Sequence, residues 1–477
     1  MTQFLLNNEH IKTDLSPGMT VLDYVRYHKQ LSGTKCGCRE GDCGACTVLV
    51  GELTQGGEVD YRSMTSCLTP LANIDGKHLV TIEGINDPDQ VALTPVQQAI
   101  VDESGTQCGF CTVGFVVSMT GFSLQSTPGN PENAIACVDG NICRCTGYKS
   151  IERAAFRLSN LLLQRKTEPS IPYAISKGIV PVYFESVANR LKTIQSEKNR
   201  QDLTNKNLFV GGGTDLYVQR PEDLVYASAQ HLFDHKPLRR IAQAENDIEI
   251  GGAATVTDMQ ESPLLQSIFP DLRRHLKLVS STPIRNMATL AGNLVNASPI
   301  GDLSIWLLAL DARIVLANGS KRELPLRNFY LAYKSLDKTA DEVLETIRFR
   351  KPENDWFFSF EKVCKRTHLD IATVNSAASI QIRDGHIKEA HIATGGVAPI
   401  PLYLKKTAAF LKGKPLPKTA DLIDPVLAKA SDILQSEISP ISDVRGSAAY
   451  KRLLARQLFL AHFTKLFPQH RYIEDVT

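Results

Sequence analysis

Gly33-Thr34-Lys35-Cys36-Gly37-Cys38-Arg39-Glu40-Gly41-Asp42-Cys43-Gly44-Ala45-Cys46 sets four cysteines and four glycines in fourteen residues. Cys38, Cys43 and Cys46 have the spacing C-x4-C-x2-C. That is the plant-type [2Fe–2S] spacing, which takes one more cysteine from elsewhere. The glycines have a physical reason. Three thiolates must converge on one small anionic cluster, so the chain curls tightly and turns backbone N–H groups inward, and glycine permits the turns with φ > 0 that do both. The fourth ligand is expected at Cys67, in Thr65-Ser66-Cys67-Leu68. The competing readings are a zinc knuckle and a set of buried free thiols. Zinc sites favour paired C-x2-C halves, so the x4 arm and the dense glycine argue for the cluster.

Working outward from this loop, Phe4–Leu6 and His10–Asp14 read as short strands separated by an Asn-Asn turn. Thr20 caps a helix running through Val21, Leu22, Val25 and Tyr27, and Thr47–Leu53 returns as a strand. Strand–strand–helix–strand around a metal loop suggests a β-grasp, ferredoxin-like unit over residues 1–79. From Thr94 the pattern turns helical, with Pro95 at a first helical position and Val96, Ala99 and Ile100 on one face. A second cysteine set follows. Gln107-Cys108-Gly109-Phe110-Cys111 opens a helix over Thr112–Met119, and Gly140-Asn141-Ile142-Cys143-Arg144-Cys145-Thr146-Gly147-Tyr148 lies downstream. The pattern C-x2-C-x31-C-x-C places both halves where helices begin, an arrangement favourable to an anionic cluster. A second [2Fe–2S] site in a small helical bundle, residues 80–163, is the expectation. Structural zinc is the alternative, and the C-x-C half fits it poorly. Two clusters in one chain imply an electron relay. Cys36, Cys137 and Cys364 are left over and read as small buried hydrophobes.

The whole chain sets bounds on function. Its 477 residues suggest about three domains. Hydrophobic content of 43% and charge of 22% are those of a globular protein. Lys plus Arg number 53 against 51 Asp plus Glu, which gives no reason to expect nucleic acid or an anionic membrane surface. No apolar run is long enough to span a membrane, and the first residues lack the apolar stretch of a signal peptide, so a cytoplasmic location is expected. Ten of the 11 cysteines precede residue 146, a concentration that in a reducing compartment means metal or redox chemistry.

Residues 164–182, with charges, prolines and no apolar period, read as a linker. Beyond it, Leu208-Phe209-Val210-Gly211-Gly212-Gly213-Thr214-Asp215-Leu216 is a strand entering a glycine turn, which lets backbone N–H groups approach a pyrophosphate. It is not the G-x-G-x-x-G fingerprint, and a plain tight turn is the other reading. Ile284–Asp302 adds a polar loop rich in amides and hydroxyls, suited to a large polar cofactor, followed by an apolar helix over Ile305–Leu310. From Arg350 the tail alternates strands (Ala378–Arg383, Glu389–Thr394) with helices (Pro425–Gln435, Ser447–Phe467), an α/β cap.

With the two cysteine sets, Val210–Leu216, Ile284–Asp302 and the tail Ser442-Asp443-Val444-Arg445-Gly446-Ser447-Ala448-Ala449-Tyr450 in view, the sequence resembles the molybdenum hydroxylases. The likeness is greatest to the small, iron–sulfur/FAD subunit of the bacterial xanthine dehydrogenases, and it extends over nearly the whole chain. It implies an α+β multidomain fold: the two [2Fe–2S] domains, an FAD-binding domain of the molybdenum hydroxylase/vanillyl-alcohol-oxidase type over 183–350, and the cap over 351–477. It implies cluster ligands Cys38, Cys43, Cys46 and Cys67, and Cys108, Cys111, Cys143 and Cys145. Molybdopterin, held by a partner subunit, would meet Gln107 and Cys145. FAD would meet Phe209, Val210, Gly211, Gly212, Gly213, Thr214, Asp215, Thr289, Gly292, Asn293 and Asp302, with Leu344 and Lys362. It further implies NAD⁺ as acceptor, oxidation of xanthine or hypoxanthine to urate on the large subunit, and a heterotetramer of two small and two large chains. No catalytic residue is expected here. Other molybdenum hydroxylases acting on aldehydes or N-heterocycles, and a stand-alone NADH-dependent reductase, are the rival functions. The chain departs from the family pattern at three places: Val113 stands where proline is usual, Ala291-Gly292-Asn293 replaces Gly-Gly-Asn, and Val279 falls where an aromatic often lies near the flavin ring.

Overall fold

Strand Thr47–Leu53 shows why the first 200 residues fold as they do. Its side chains alternate between two cores: Val48 and Val50 pack with Phe4, Leu6, Leu22 and Leu68, while Leu49 packs with Tyr61, Phe115 and Val117. A period of two thus joins a sheet domain on one face to a helical domain on the other. The computed structural model describes residues 1–87, 92–125, 130–196, 208–366, 370–419, 421–422 and 424–468. They form two compact units: Met1–Phe233 with Ser281–Ala288, and Asp234–Ser280 with Thr289–Thr477. The fold is α+β.

In the first unit a five-stranded sheet has the order Glu9–Thr13, Thr2–Leu6, His78–Val80, Thr47–Leu53, Val59–Thr65. Thr2–Leu6 runs parallel to His78–Val80, and the other neighbours are antiparallel. Thr20 caps the helical stretch that starts at Val21, its hydroxyl accepting from the N–H of Asp23 at 3.1 Å. The stretch changes to π geometry over Tyr24–His28, which leaves Tyr27 facing solvent. The helices are Pro95–Asp102, Thr112–Ser123, Pro131–Ala136 and Lys149–Leu163. Thr94 opens the first with a capping box closed by Gln97. The second continues four residues past Met119, because Thr120, Gly121, Phe122 and Ser123 are all buried. The stretch read as a linker contains a helix, Ser170–Ser176, and is packed: Tyr173, Ala174, Ile179 and Val180 are buried, and the Tyr173 hydroxyl donates to the Leu161 carbonyl at 2.7 Å. Pro169 and Pro172 lie at the start of that helix, where proline is tolerated. Beyond the helix Phe184–Ser196, strand Phe209–Val210 pairs in parallel with Gln230–His231. Ser281–Ala288 also packs here, through Asn286 on the Ser63 carbonyl (2.8 Å) and a buried Arg285–Asp139 ion pair (2.7 Å).

The second unit holds two main sheets. One has the order Lys321–Pro325, Arg313–Ala317, Val343–Arg350, Asp247–Gly251, Ile241–Ala244, antiparallel throughout. The other joins Trp356–Val363, Val374–Arg383, His386–Gly395 and Leu402–Tyr403, also antiparallel. The helices Pro425–Glu437 and Ala448–Leu466 close its apolar core. In this tail the long strands pair as neighbours and precede the long helices. No described helix is long and apolar enough to cross a membrane.

Candidate functional site

Strand register assembles the first thiol set. Thr47 pairs with Thr65, so Cys46, just before one strand, and Cys67, just after the other, come together. The Ser66 hydroxyl fixes that junction by donating to the Cys46 carbonyl at 2.7 Å. The two thiols hydrogen-bond, which pulls the buried Cys46 down and, with burial, pushes Cys67 up. Cys38 and Cys43 form the other pair. The hydrogen bond from Cys43, backed by N–H groups of Glu40, Cys43 and Asp42, pulls Cys38 down to about 5, and Cys43 is pushed up in turn. The Glu40 N–H lies 3.3 Å from the Cys38 sulfur. Inward-pointing N–H groups are what thiolates require, and the donor set fits a [2Fe–2S] cluster, in which each iron takes two thiolates. Arg39, adjacent to Cys38, is anchored to Asp23 at 2.6 Å.

The second set is assembled by a helix start and a turn. Cys111 sits at the N-cap of Thr112–Ser123, and Cys143 and Cys145 precede the helix Lys149–Leu163. Cys108 and Cys145 lie 3.6 Å apart, sulfur to sulfur, and Cys111 hydrogen-bonds to Cys143. The Cys143 sulfur accepts N–H groups of Cys145 and Thr146, both at 3.4 Å, and lies 3.1 Å from the Thr146 hydroxyl. Burial opposes ionisation of Cys143, but Thr146 and these N–H groups outweigh it and its pKa falls. Burial together with the Cys143 contact pushes Cys111 up to about 12. Among the described residues no three ligating side chains close on a single point. The eight thiols stand two by two.

The exposed thiols all belong to the second set. In the first set Cys46 and Cys67 are buried and Cys38 and Cys43 half-buried; in the second Cys143 is buried and Cys111 half-buried, but Cys108 and Cys145 are exposed beside Gln107, Phe110 and Tyr148. The two loops meet back to back. The N–H of Ile142, next to Cys143, donates to the carbonyl of Cys43 at 3.0 Å. The Asn141 amide donates to the Gly44 carbonyl at 3.0 Å and accepts from Ser118 at 2.8 Å. Gly44 has φ +67°, and a Cβ there would collide with the carbonyl of Gly140. Of the left-over cysteines, Cys137 is buried and donates to the Ala134 carbonyl, Cys36 packs against the sheet-domain core, and Cys364 is half-buried and donates to the Arg366 carbonyl.

In the same unit, strand Phe209–Val210 delivers the turn Gly211–Asp215, and the short helix Leu216–Gln219 follows it. A side chain on Gly212 would strike the carbonyl of Met287, and one on Gly213, at φ +84°, would lie 2.8 Å from the carbonyl of Leu68. The Asn73 amide donates to the Gly211 carbonyl at 3.0 Å. The other candidate flavin residues belong to the second unit. Thr289 caps Leu290–Asn296, its hydroxyl accepting the Gly292 N–H at 3.2 Å, and Asn293 accepts from Ser304 at 3.3 Å. Asp302 opens the helix Asp302–Leu308 and lies 2.7 Å from the buried Lys362 amine, which also donates to the Leu278 carbonyl. Asn375 donates to the other Asp302 oxygen at 2.6 Å and to the Ile300 carbonyl at 3.1 Å. Leu344 is buried in strand Val343–Arg350 opposite Leu316. Sequence reasoning passed over Asn73, Asn141 and Asn375. Asn375 carries the clearest signal, an amide just before the small residues Ser376, Ala377, Ala378 and Ser379.

Four family models match in register with these features: "2Fe-2S iron-sulfur cluster binding domain" over 4–72, "[2Fe-2S] binding domain" over 81–156, "FAD binding domain in molybdopterin dehydrogenase" over 186–352, and "CO dehydrogenase flavoprotein C-terminal domain" over 359–466. The chain belongs to the molybdenum hydroxylase family. It carries the iron–sulfur and flavin domains of that family. It is 30% identical to xanthine dehydrogenase 1 of Arabidopsis thaliana, over 98% of this chain and 39% of that protein. It is 28% identical to xanthine dehydrogenase of Emericella nidulans, again over 98% of this chain and 39% of that one. The chain thus spans about two fifths of the length of the curated relatives it matches. Among solved structures, a carbon monoxide dehydrogenase of Hydrogenophaga pseudoflava lacking the Mo-pyranopterin moiety aligns with a TM-score of 0.50 at 25% identity, over 55% of this chain and 89% of that one.

Proposed function

We propose that this chain is the electron-transfer subunit of a xanthine dehydrogenase, taking electrons from a molybdopterin-bearing partner and delivering them to NAD⁺. The observation that supports it best is the back-to-back meeting of the two thiol sets, joined through Ile142 and Cys43, with two exposed thiols, Cys108 and Cys145, on one of them. Cys108, Cys111, Cys143 and Cys145 would hold the outer [2Fe–2S] cluster, and Cys38, Cys43, Cys46 and Cys67 the inner one. When bound, such clusters pass one electron at a time and FAD exchanges one or two, which makes flavin the partner of the two-electron acceptor NAD⁺. The residues of this chain bind, orient and insulate. Backbone N–H groups at Cys38 and Cys143 favour the thiolate forms. Gly212 and Gly213 let the chain approach a pyrophosphate closely. In the second unit, Lys362 and Asn375 hold the Asp302 carboxylate, which with Thr289, Gly292 and Asn293 would supply polar groups to the cofactor.

Gln107 and Cys145, exposed beside Phe110 and Tyr148, form the face offered to molybdopterin on the large subunit, in a heterotetramer of two small and two large chains. That face weighs against a stand-alone NADH-dependent reductase. The carbon monoxide dehydrogenase likeness keeps a second reading open, the equivalent part of a molybdenum hydroxylase with another substrate. The setting would be cytoplasmic. The test is to express the chain alone and with a molybdopterin-bearing partner. NADH–dye oxidoreduction should be present in both preparations, and xanthine hydroxylation only in the second. Hydroxylation by the lone chain would refute the reading, and hydroxylation of an aldehyde but not xanthine by the pair would favour the alternative.

A further inference from the structure

The Gly211 carbonyl and the Gly212 N–H belong to one peptide plane. In a trans peptide these two groups point in opposite directions, and the structure contains no cis peptide bond among the described residues. Whatever holds the carbonyl therefore aims the N–H. The holder is Asn73, a residue of the sheet domain far away in sequence, whose amide donates to the Gly211 carbonyl at 3.0 Å. Asn73 is 2% exposed and sits in the 3₁₀ turn Leu71–Ile74, its own N–H bonded to the Pro70 carbonyl. Its orientation is unambiguous, because the acceptor is a carbonyl and only the NH₂ end of the amide can donate to it. Its Oδ1 is buried without a partner, so the side chain forgoes one hydrogen bond to make this one. On either side of this peptide, Met287 crowds Gly212 and Leu68 crowds Gly213, so the turn has little room to settle elsewhere.

We infer that Asn73 is a positioning residue for flavin binding: it fixes the Gly211–Gly212 peptide so that the Gly212 N–H faces away from the sheet domain, toward the pyrophosphate of the bound dinucleotide. This rests on the reading of Gly211–Asp215 as the pyrophosphate turn. Asn73 acts through the backbone and touches no cofactor. The flavin turn is thereby ordered by the domain that carries Cys67, six residues earlier in the chain.

The experiment measures FAD and ADP dissociation constants on flavin-stripped protein, with the EPR signals of both clusters recorded in each variant. Asn73→Leu keeps the bulk and removes the donor. It should weaken FAD and ADP alike by about tenfold, the worth of one buried hydrogen bond, with both cluster signals unchanged. Asn73→Asp is near-isosteric. Its ionised carboxylate should weaken FAD binding at pH 8 and recover part of the affinity at pH 6, as protonation restores a donor, whereas the parent protein should lack this pH dependence. Gly213→Val is the control for the underlying reading. If Gly213→Val loses flavin while Asn73→Leu and Asn73→Asp bind FAD like the parent, Asn73 does not position the turn. If Gly213→Val itself keeps full flavin affinity, the pyrophosphate reading fails and takes the inference with it.

Discussion

The two thiol sets carry the same number of cysteines and differ in what encloses them. The first is folded into the end of a sheet: Cys46 and Cys67 are fixed by strand register and buried, and Cys38 and Cys43 are half-buried. The second lies at helix starts, with Cys143 buried, Cys111 half-buried, and Cys108 and Cys145 exposed beside Phe110 and Tyr148. Enclosure removes water from a charged cluster and makes each N–H contact count for more; exposure leaves a surface that another redox group can approach. Under the proposed function, the exposed pair Cys108 and Cys145 is the end at which electrons enter.

The most severe way to break the comparison is to remove one ligand from each set. Cys43→Ser and Cys111→Ser should each lower iron from about four atoms per chain to about two and abolish one EPR signal while sparing the other. Zinc in place of iron, or loss of both signals from either variant, would show that the ligand sets are wrong. Next in size is the joint between the loops. Gly44→Val places a side chain against Gly140 and Asn141 at φ +67°, and both signals should change together, with a loss of stability of about 2 kcal/mol or more by thermal unfolding. A change confined to one signal would mean that the loops are mechanically independent.

Much of this was legible in the sequence. The Thr20 cap, the helical start at Pro95 and the strand Thr47–Leu53 all follow local rules, and the structure places them accordingly. The helix Ser170–Ser176 was hidden by charges and prolines, because the burial of Tyr173 comes from distant partners. The pairing of Cys46 with Cys67, and of Lys362 and Asn375 with Asp302, depends on register and packing, on which spacing is silent. Single amides such as Asn73 and Asn141 have no sequence signature; only the carbonyls they reach reveal them.

Smaller effects test the residues proposed for flavin and the buried histidines. Lys362→Met leaves the largely covered Asp302 carboxylate with Asn375 but without its cation. Such a loss costs about 3–5 kcal/mol locally, and the variant should purify flavin-depleted with both clusters intact. Full flavin occupancy would remove Asp302 from the site. The smallest effect is on acid stability. Burial pulls both His78 and His462 down to about 3. Their folded values lie below the unfolded 6.5, so the unfolded state binds more protons between those values and stability rises with pH across that window. It is fully present above pH 6.5 and is lost as pH falls toward 3, by up to about 1.4 kcal/mol per pH unit for each histidine. His462→Gln should flatten this slope in urea unfolding at pH 7, 6 and 5; an unchanged slope would mean that His462 is not buried in the neutral form.

The central claim is the direction of the relay, and Cys145 tests it. With a molybdopterin-bearing partner added, hydroxylation coupled to NAD⁺ and NADH–dye activity are measured side by side for the parent and for Cys145→Ser. The expected result is coupled hydroxylation reduced at least about a hundredfold, a loss of some 2.7 kcal/mol, with NADH–dye activity within about twofold of the parent. Equal loss of both activities, in a variant that remains folded and flavin-loaded, would contradict the assignment of the exposed thiols to the partner side.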